Sequence, residues 1–145
     1  MKILGLDEAG RGCVLGPLIV GAFCCEADNL PALAASGATD SKALSVKKRK
    51  AILARLPEFG TSRILAVTPA QIDAGNINRL EEEAFLDHIR HFAPDVVYLD
   101  APVHPRGIPK LKARLIAALE EDGLAPEWAV SYTHLRAHET TDNLV

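Results

Sequence analysis

Apolar positions along the chain fall into two rhythms, one of short runs and one of helical stripes. "KILGL" (2–6), closed by Asp7, reads as a short buried strand, and "GPLIVGAFCC" (Gly16 to Cys25) is a second apolar run suited to a strand. The link between them is short and glycine-rich, which predicts an antiparallel, hairpin-like pair. "DNLPALAASGATDSK" (28–42) is small and polar and reads as loop. Ser45 suits the N-cap of a helix through Val46, Ala51, Ile52 and Leu56, stopped by Pro57. "SRILAVT" (62–68) is a third strand, and Thr68-Pro69 opens a short helical turn with threonine as cap.

From about Ile77 the period changes to that of a longer helix. Leu80, Ala84, Phe85, Ile89 and Phe92 form its stripe, with Glu81 to Glu83 expected to face water near its start. "DVVYLD" (95–100) is a strand ending in a carboxylate. "KLKARLIAALEEDG" (110–123) is an amphipathic helix with Leu111, Leu115, Ala118 and Leu119 inward and Gly123 as its stop, and "EWAV" (127–130) starts a further strand. No internal repeat or low-complexity tract interrupts this order. The alternation of strands and helices predicts an α/β layer fold built on a mixed sheet.

Composition narrows the class. The 145 residues, 48% hydrophobic and 24% charged, suit one domain with a real core. No apolar stretch approaches the roughly 20 residues of a membrane span. The start, "MKILGLDEAG", lacks the apolar h-region of a signal peptide and reads as the first strand. Three cysteines, two of them adjacent (Cys24 and Cys25), suggest no disulfide framework. Buried thiols in a reducing cytoplasm are the simple expectation. The net charge of −3 argues against a nucleic-acid binder, unless an acidic metal site offsets a basic rim such as Lys47 to Lys50 ("KKRK"). A solvated helix face is the plainer account of that run.

Charge also makes one short segment stand out. In "GLDEAGRG" (5–12) two adjacent carboxylates, Asp7 and Glu8, end an apolar run beside a glycine turn. Adjacent anions repel, and burial raises the cost, unless a proton or cation lies between them. Asp100 ends another strand, where a turn residue is the ordinary alternative. If the two strands are neighbours, three carboxylates converge at one sheet edge, where sites form in α/β folds. Hard oxygen ligands without Cys or His suit Mg²⁺ or Mn²⁺. A pair of such ions about 3.5–4 Å apart activates water and stabilises the leaving oxygen in phosphodiester cleavage.

The glycines match neither G-x-G-x-x-G nor a phosphate loop, which disfavours a small-molecule phosphate enzyme. Gly10-Arg11-Gly12 instead offers a bare backbone edge that could meet a sugar 2′-hydroxyl and tell RNA from DNA; a plain tight turn is the competing reading. His134 and His138 have the i, i+4 spacing of zinc ligands but no further ligands, and Asp142 lies in no matching context.

"GLDEAGRGCVLGP" (5–17) resembles the signature segment of ribonuclease HII, the type 2 ribonuclease H family. "DSKALS" (40–45) resembles that family's second motif, and "NINRLEEEAF" (76–85) and "DVVYLDAP" (95–102) its middle and third segments, in the wording of the archaeal-type branch. The resemblance runs in order over roughly residues 1–130. It implies a ribonuclease H-like fold, a mixed sheet flanked by helices, and endonucleolytic cleavage of RNA in RNA–DNA hybrids and at single ribonucleotides in duplex DNA. It implies Asp7, Glu8 and Asp100 as catalytic, metal-binding carboxylates for Mn²⁺ or Mg²⁺, and Gly10, Arg11 and Gly12 as the segment that recognises the ribonucleotide. Lys42 matches a lysine near the substrate phosphates, a point-charge contact. A monomer in the cytoplasm, serving DNA replication and repair, is the expected form.

The family pattern also has a fourth acidic residue and further helices that this chain does not match. Residues 131–145 ("SYTHLRAHETTDNLV") resemble translated adapter sequence and are expected to be a non-family tail, disordered or artefactual, on a catalytic domain (1–130) whose C-terminal part is missing. A catalytically impaired hybrid-binding fragment is accordingly the alternative to an active nuclease.

Overall fold

A computed structural model describes residues 1–11, 15–100 and 105–131. Among these residues five strands form one sheet: β1 (Lys2–Ala9), β2 (Leu18–Glu26), β3 (Gly60–Val67), β4 (Val96–Asp100) and β5 (Glu127–Ser131). Their spatial order is β3-β2-β1-β4-β5. β1 and β2 pair antiparallel from Lys2↔Glu26 to Ala9↔Ile19, the hairpin-like arrangement read from the short link. β2 and β3 are also antiparallel, while β1–β4 and β4–β5 are parallel. The sheet is therefore mixed.

Alternation along the strands decides which side chains form the core. Leu4 and Leu6 of β1, Leu18, Val20, Ala22 and Cys24 of β2, and Val97 and Leu99 of β4 share one face. That face is covered by α4 (Ile77–Phe92) and α5 (Ile108–Glu120), whose Phe85, Ile89, Leu111, Leu115 and Leu119 are almost wholly buried. Trp128 of β5 packs against the same cluster. Cys24 and Cys25 are free and buried, as small core residues.

Helix starts follow local chemistry. Ser45 accepts from the Lys48 amide at the head of α2 (Val46–Arg55), and Thr68 and Gln71 make a reciprocal capping box on α3 (Pro69–Ala74). Asn76 accepts from the Asn78 and Arg79 amides at the head of α4. Beyond α5, Gly123 (φ 72°) makes the left-handed stop.

Two expectations need correction. The stretch 28–42 is not all loop: it holds α1 (Leu30–Ala35) and a 3₁₀ turn (Ser41–Ala43). "LPALAA" has proline in the first helical turn and strong helix formers after it. Its Leu30 and Leu33 line a hollow with Ile3, Phe23 and Tyr98, on the sheet face away from α4. Second, Glu81 does not face water: it is 1% exposed, whereas Glu82 and Glu83 pair with Arg114 and Arg79 at the surface. The run Lys47 to Lys50 lies on α2, which buries no residue, so it is a solvated face. Among the described residues no helix is long and apolar enough to cross a membrane. His134, His138, Asp142 and nearly all of the expected tail lie outside the described residues.

Candidate active site

β1 and β4 run side by side in the same direction, and their last paired residues are Leu6 and Leu99. Asp7 and Asp100 are thus the next residues along two adjacent parallel strands. Both line one cleft of about 490 Å³ on the sheet face away from α4, floored by Gly5, Gly21, Phe23 and Tyr98 and flanked by Leu56 and Ile64. Asp7 is exposed, and its Oδ1 accepts the Glu8 amide at 2.8 Å, while Asp100 Oδ1 is buried. The sequence pattern could foresee two strands ending in acids; only the pairing of distant strands makes them neighbours.

Glu8 goes the other way. Being one residue on from Asp7, it follows Leu4 and Leu6 toward α4, where its charge acts on Glu81. The strands are neighbours, yet alternation divides the acidic pair between the two faces. Among the described residues no three His, Cys, Asp or Glu side chains lie close enough together to hold one ion. Asp7 and Asp100 do fit a hard divalent cation: both offer only oxygen, and a buried carboxylate oxygen gains from a positive neighbour.

Immediately past β1 the chain turns at Gly10. Its φ is +86°, and a Cβ there would lie 2.6 Å from the Pro17 carbonyl oxygen. Only glycine fits both conditions. Arg11 follows, and its side chain reaches back to α4: Nη1 donates to Glu81 Oε2 and Nη2 to Asn78 Oδ1. Glu81 Oε1 is buried and makes no hydrogen bond among the described residues. Burial pushes the Glu81 carboxyl up to about 7; Arg11 opposes the rise, and the charges of Glu8 and Glu82 add to it. Gly12 lies outside the described residues.

Lys42 sits in the exposed 3₁₀ turn, its amide donating to Asp40 Oδ1 at 3.0 Å, and it does not line the cleft. The sequence reading missed Glu81 and Asn78 as parts of this neighbourhood. The signal was present: Glu81, Ala84, Phe85 and His88 follow the i, i+3, i+4, i+7 spacing of a buried stripe. His88 is also buried. Its Nε2 lies 3.0 Å from the Val20 carbonyl and so donates, leaving Nδ1 to accept from Arg63 at 3.3 Å. Desolvation holds this imidazole below its ordinary pKa, in the neutral form.

Comparison with known proteins agrees with this layout. The family model for ribonuclease HII matches residues 4–126. A ribonuclease HII of Methanocella arvoryzae is 44% identical over 104 residues, 68% of this chain and 46% of that protein. One from Thermofilum pendens is 32% identical over 162 aligned positions, covering 99% of this chain and 76% of that protein. The crystal structure of ribonuclease H2 from Pyrococcus horikoshii superposes with a TM-score of 0.70 at 32% identity, over 90% of this chain and 61% of that one. The chain thus spans about half the length of the Methanocella relative. With a match over most of its length and a shared mixed sheet flanked by helices, this chain belongs to the ribonuclease HII family.

Proposed function

We propose that the chain is the ribonuclease H-like part of a metal-dependent endonuclease that hydrolyses the RNA strand of RNA–DNA hybrids and incises at ribonucleotides embedded in duplex DNA. One observation carries the reading: Asp7 and Asp100 directly follow the last paired residues of two adjacent parallel strands and line one cleft, on the strand that then turns at Gly10. Asp7 and Asp100 are the residues that would hold Mn²⁺ or Mg²⁺, while Glu8 stands on the other face of β1. A bound divalent cation supplies Lewis-acid activation of water and of the leaving oxygen. The side chains' own part is to bring fixed negative charge to the strand ends. The backbone of the glycine turn would meet the sugar, and the 2′-hydroxyl, donor and acceptor at once, is the group it would read. Lys42 would contribute a point charge toward phosphate, with the cytoplasm as the site of action.

A second reading, a hybrid-binding unit without turnover, is favoured by Glu8 lying on the α4 side of β1 rather than with Asp7. Cleavage of a ribonucleotide-containing duplex in Mn²⁺, run beside a binding assay, separates the two. In Asp7→Asn, Mn²⁺ affinity should fall at least tenfold and cleavage by orders of magnitude, with an unchanged circular dichroism spectrum. An unaltered Mn²⁺ titration would remove Asp7 from the site.

A further inference from the structure

The loop after β1 carries its only long basic side chain inward. Arginine at a turn normally leaves its charged head in water. Arg11 instead spends both terminal nitrogens on α4, one on Glu81 and one on Asn78, acceptors one helical turn apart. A planar guanidinium gripped at two nitrogens is fixed in orientation as well as position, which a single contact would not achieve. The grip is anchored from below. Asn76 caps the turn that carries Asn78, and Phe85 and Ile89 of the same helix are fully buried against the sheet.

Glu81 lies in the buried stripe of α4, where a leucine would pack without desolvating a charge. A residue kept there at that cost, and aimed at Arg11, is explained by what Arg11 holds. Arg11 follows Gly10, whose backbone is already pinned against Pro17. The path runs from core to α4, to Arg11, to the half-buried Gly10–Arg11 backbone just past the end of β1.

We propose that Glu81, with Asn78, is a positioning residue: by clamping the Arg11 guanidinium it sets the Gly10–Arg11 backbone in the conformation that discriminates a ribose from a deoxyribose. This rests on the functional reading above and adds a specificity-determining role to it. Arg11 then acts through its backbone, its side chain being a tether and not a phosphate contact. Lysine cannot replace it, because an ammonium is one point charge and not a fork.

The test compares the wild-type chain, Glu81→Gln, Arg11→Lys, Arg11→Ala and the Arg11→Ala/Glu81→Gln double variant. Affinity is measured in Ca²⁺ for a DNA duplex bearing one ribonucleotide and for the all-DNA duplex. Glu81→Gln and Arg11→Lys should each cut the preference for the ribonucleotide at least tenfold, with Mn²⁺ affinity within twofold of wild type. Glu81→Gln should add nothing in the Arg11→Ala background, since its effect travels through Arg11. Hydrogen exchange at the Gly10 and Arg11 amides should quicken about tenfold in Glu81→Gln, while Leu4 and Leu6 keep their protection. A wild-type chain that prefers the ribonucleotide, beside a Glu81→Gln variant that prefers it equally, overturns the positioning role alone. A wild type with no preference overturns the functional reading; the exchange arm then decides the tether, and unchanged exchange in Glu81→Gln overturns that too.

Discussion

Replacing Glu81 by glutamine should stabilise the protein at alkaline pH, although it removes one half of an ion pair. The carboxyl is almost completely buried, and its pKa is held at about 7 against an ordinary 4.5. Desolvation therefore outweighs the attraction of Arg11. A carboxyl raised in the folded state binds more protons there than in the unfolded chain between those two values, so stability falls as pH rises through that window. At about 1.4 kcal/mol per pH unit the full effect is about 3 kcal/mol, of which about 2–3 kcal/mol lies between pH 5 and 8.5. Glutamine carries no charge to desolvate, and its neutral oxygen grips the guanidinium more weakly than the carboxylate does. Arg11, being 29% exposed, retains water on its open side.

The assay is urea unfolding of wild type and Glu81→Gln across that pH range. An m-value of about 1–2 kcal/mol/M turns the effect into a midpoint difference that grows by roughly 1–3 M. The difference between the curves is the quantity to read, not either curve alone. His88, held below its ordinary 6.5, contributes the opposite slope: its stabilisation is lost as pH falls through 6.5 and below. That contribution cancels on subtraction. A difference flat within about 1 kcal/mol from pH 5 to 8.5 would refute the claim that burial dominates at Glu81. Coupled with lost ribonucleotide preference, a stabilised Glu81→Gln would be a stability–function exchange at one residue.

Gly10→Ala and Gly37→Ala form a matched pair, since both glycines have positive φ but only Gly10 faces backbone at 2.6 Å. Thermal melts should give a loss of about 1 kcal/mol at Gly37, from conformation alone, and at least about 2 kcal/mol more at Gly10; equal losses would mean the turn yields freely. Lys42→Ala should weaken duplex binding about equally across sequences and reduce the slope of log affinity against log salt by about one. An unchanged slope would leave Lys42 an ordinary surface charge.

The sequence by itself determined what neighbours in the chain decide. Ser45, Thr68 and the proline and glycine punctuation set helix ends because a cap bonds to amides two or three residues away. Strand alternation already implied that Asp7 and Glu8 leave β1 on opposite faces, although the reading let both acids converge with Asp100. The family resemblance in residues 5–17 was legible for the same reason, being a contiguous segment. What the sequence could not supply was which strands lie together. β1 meets β4 across more than ninety intervening positions, and that parallel pairing brings Asp100 beside Asp7. Nor could it supply the Arg11–Glu81 contact, which joins residues 70 apart and turns a seemingly solvated glutamate into a buried one. Local bonding writes its partners into adjacent letters; burial and charge pairing depend on which surfaces the folded sheet and helices press together, and only the tertiary structure decides that.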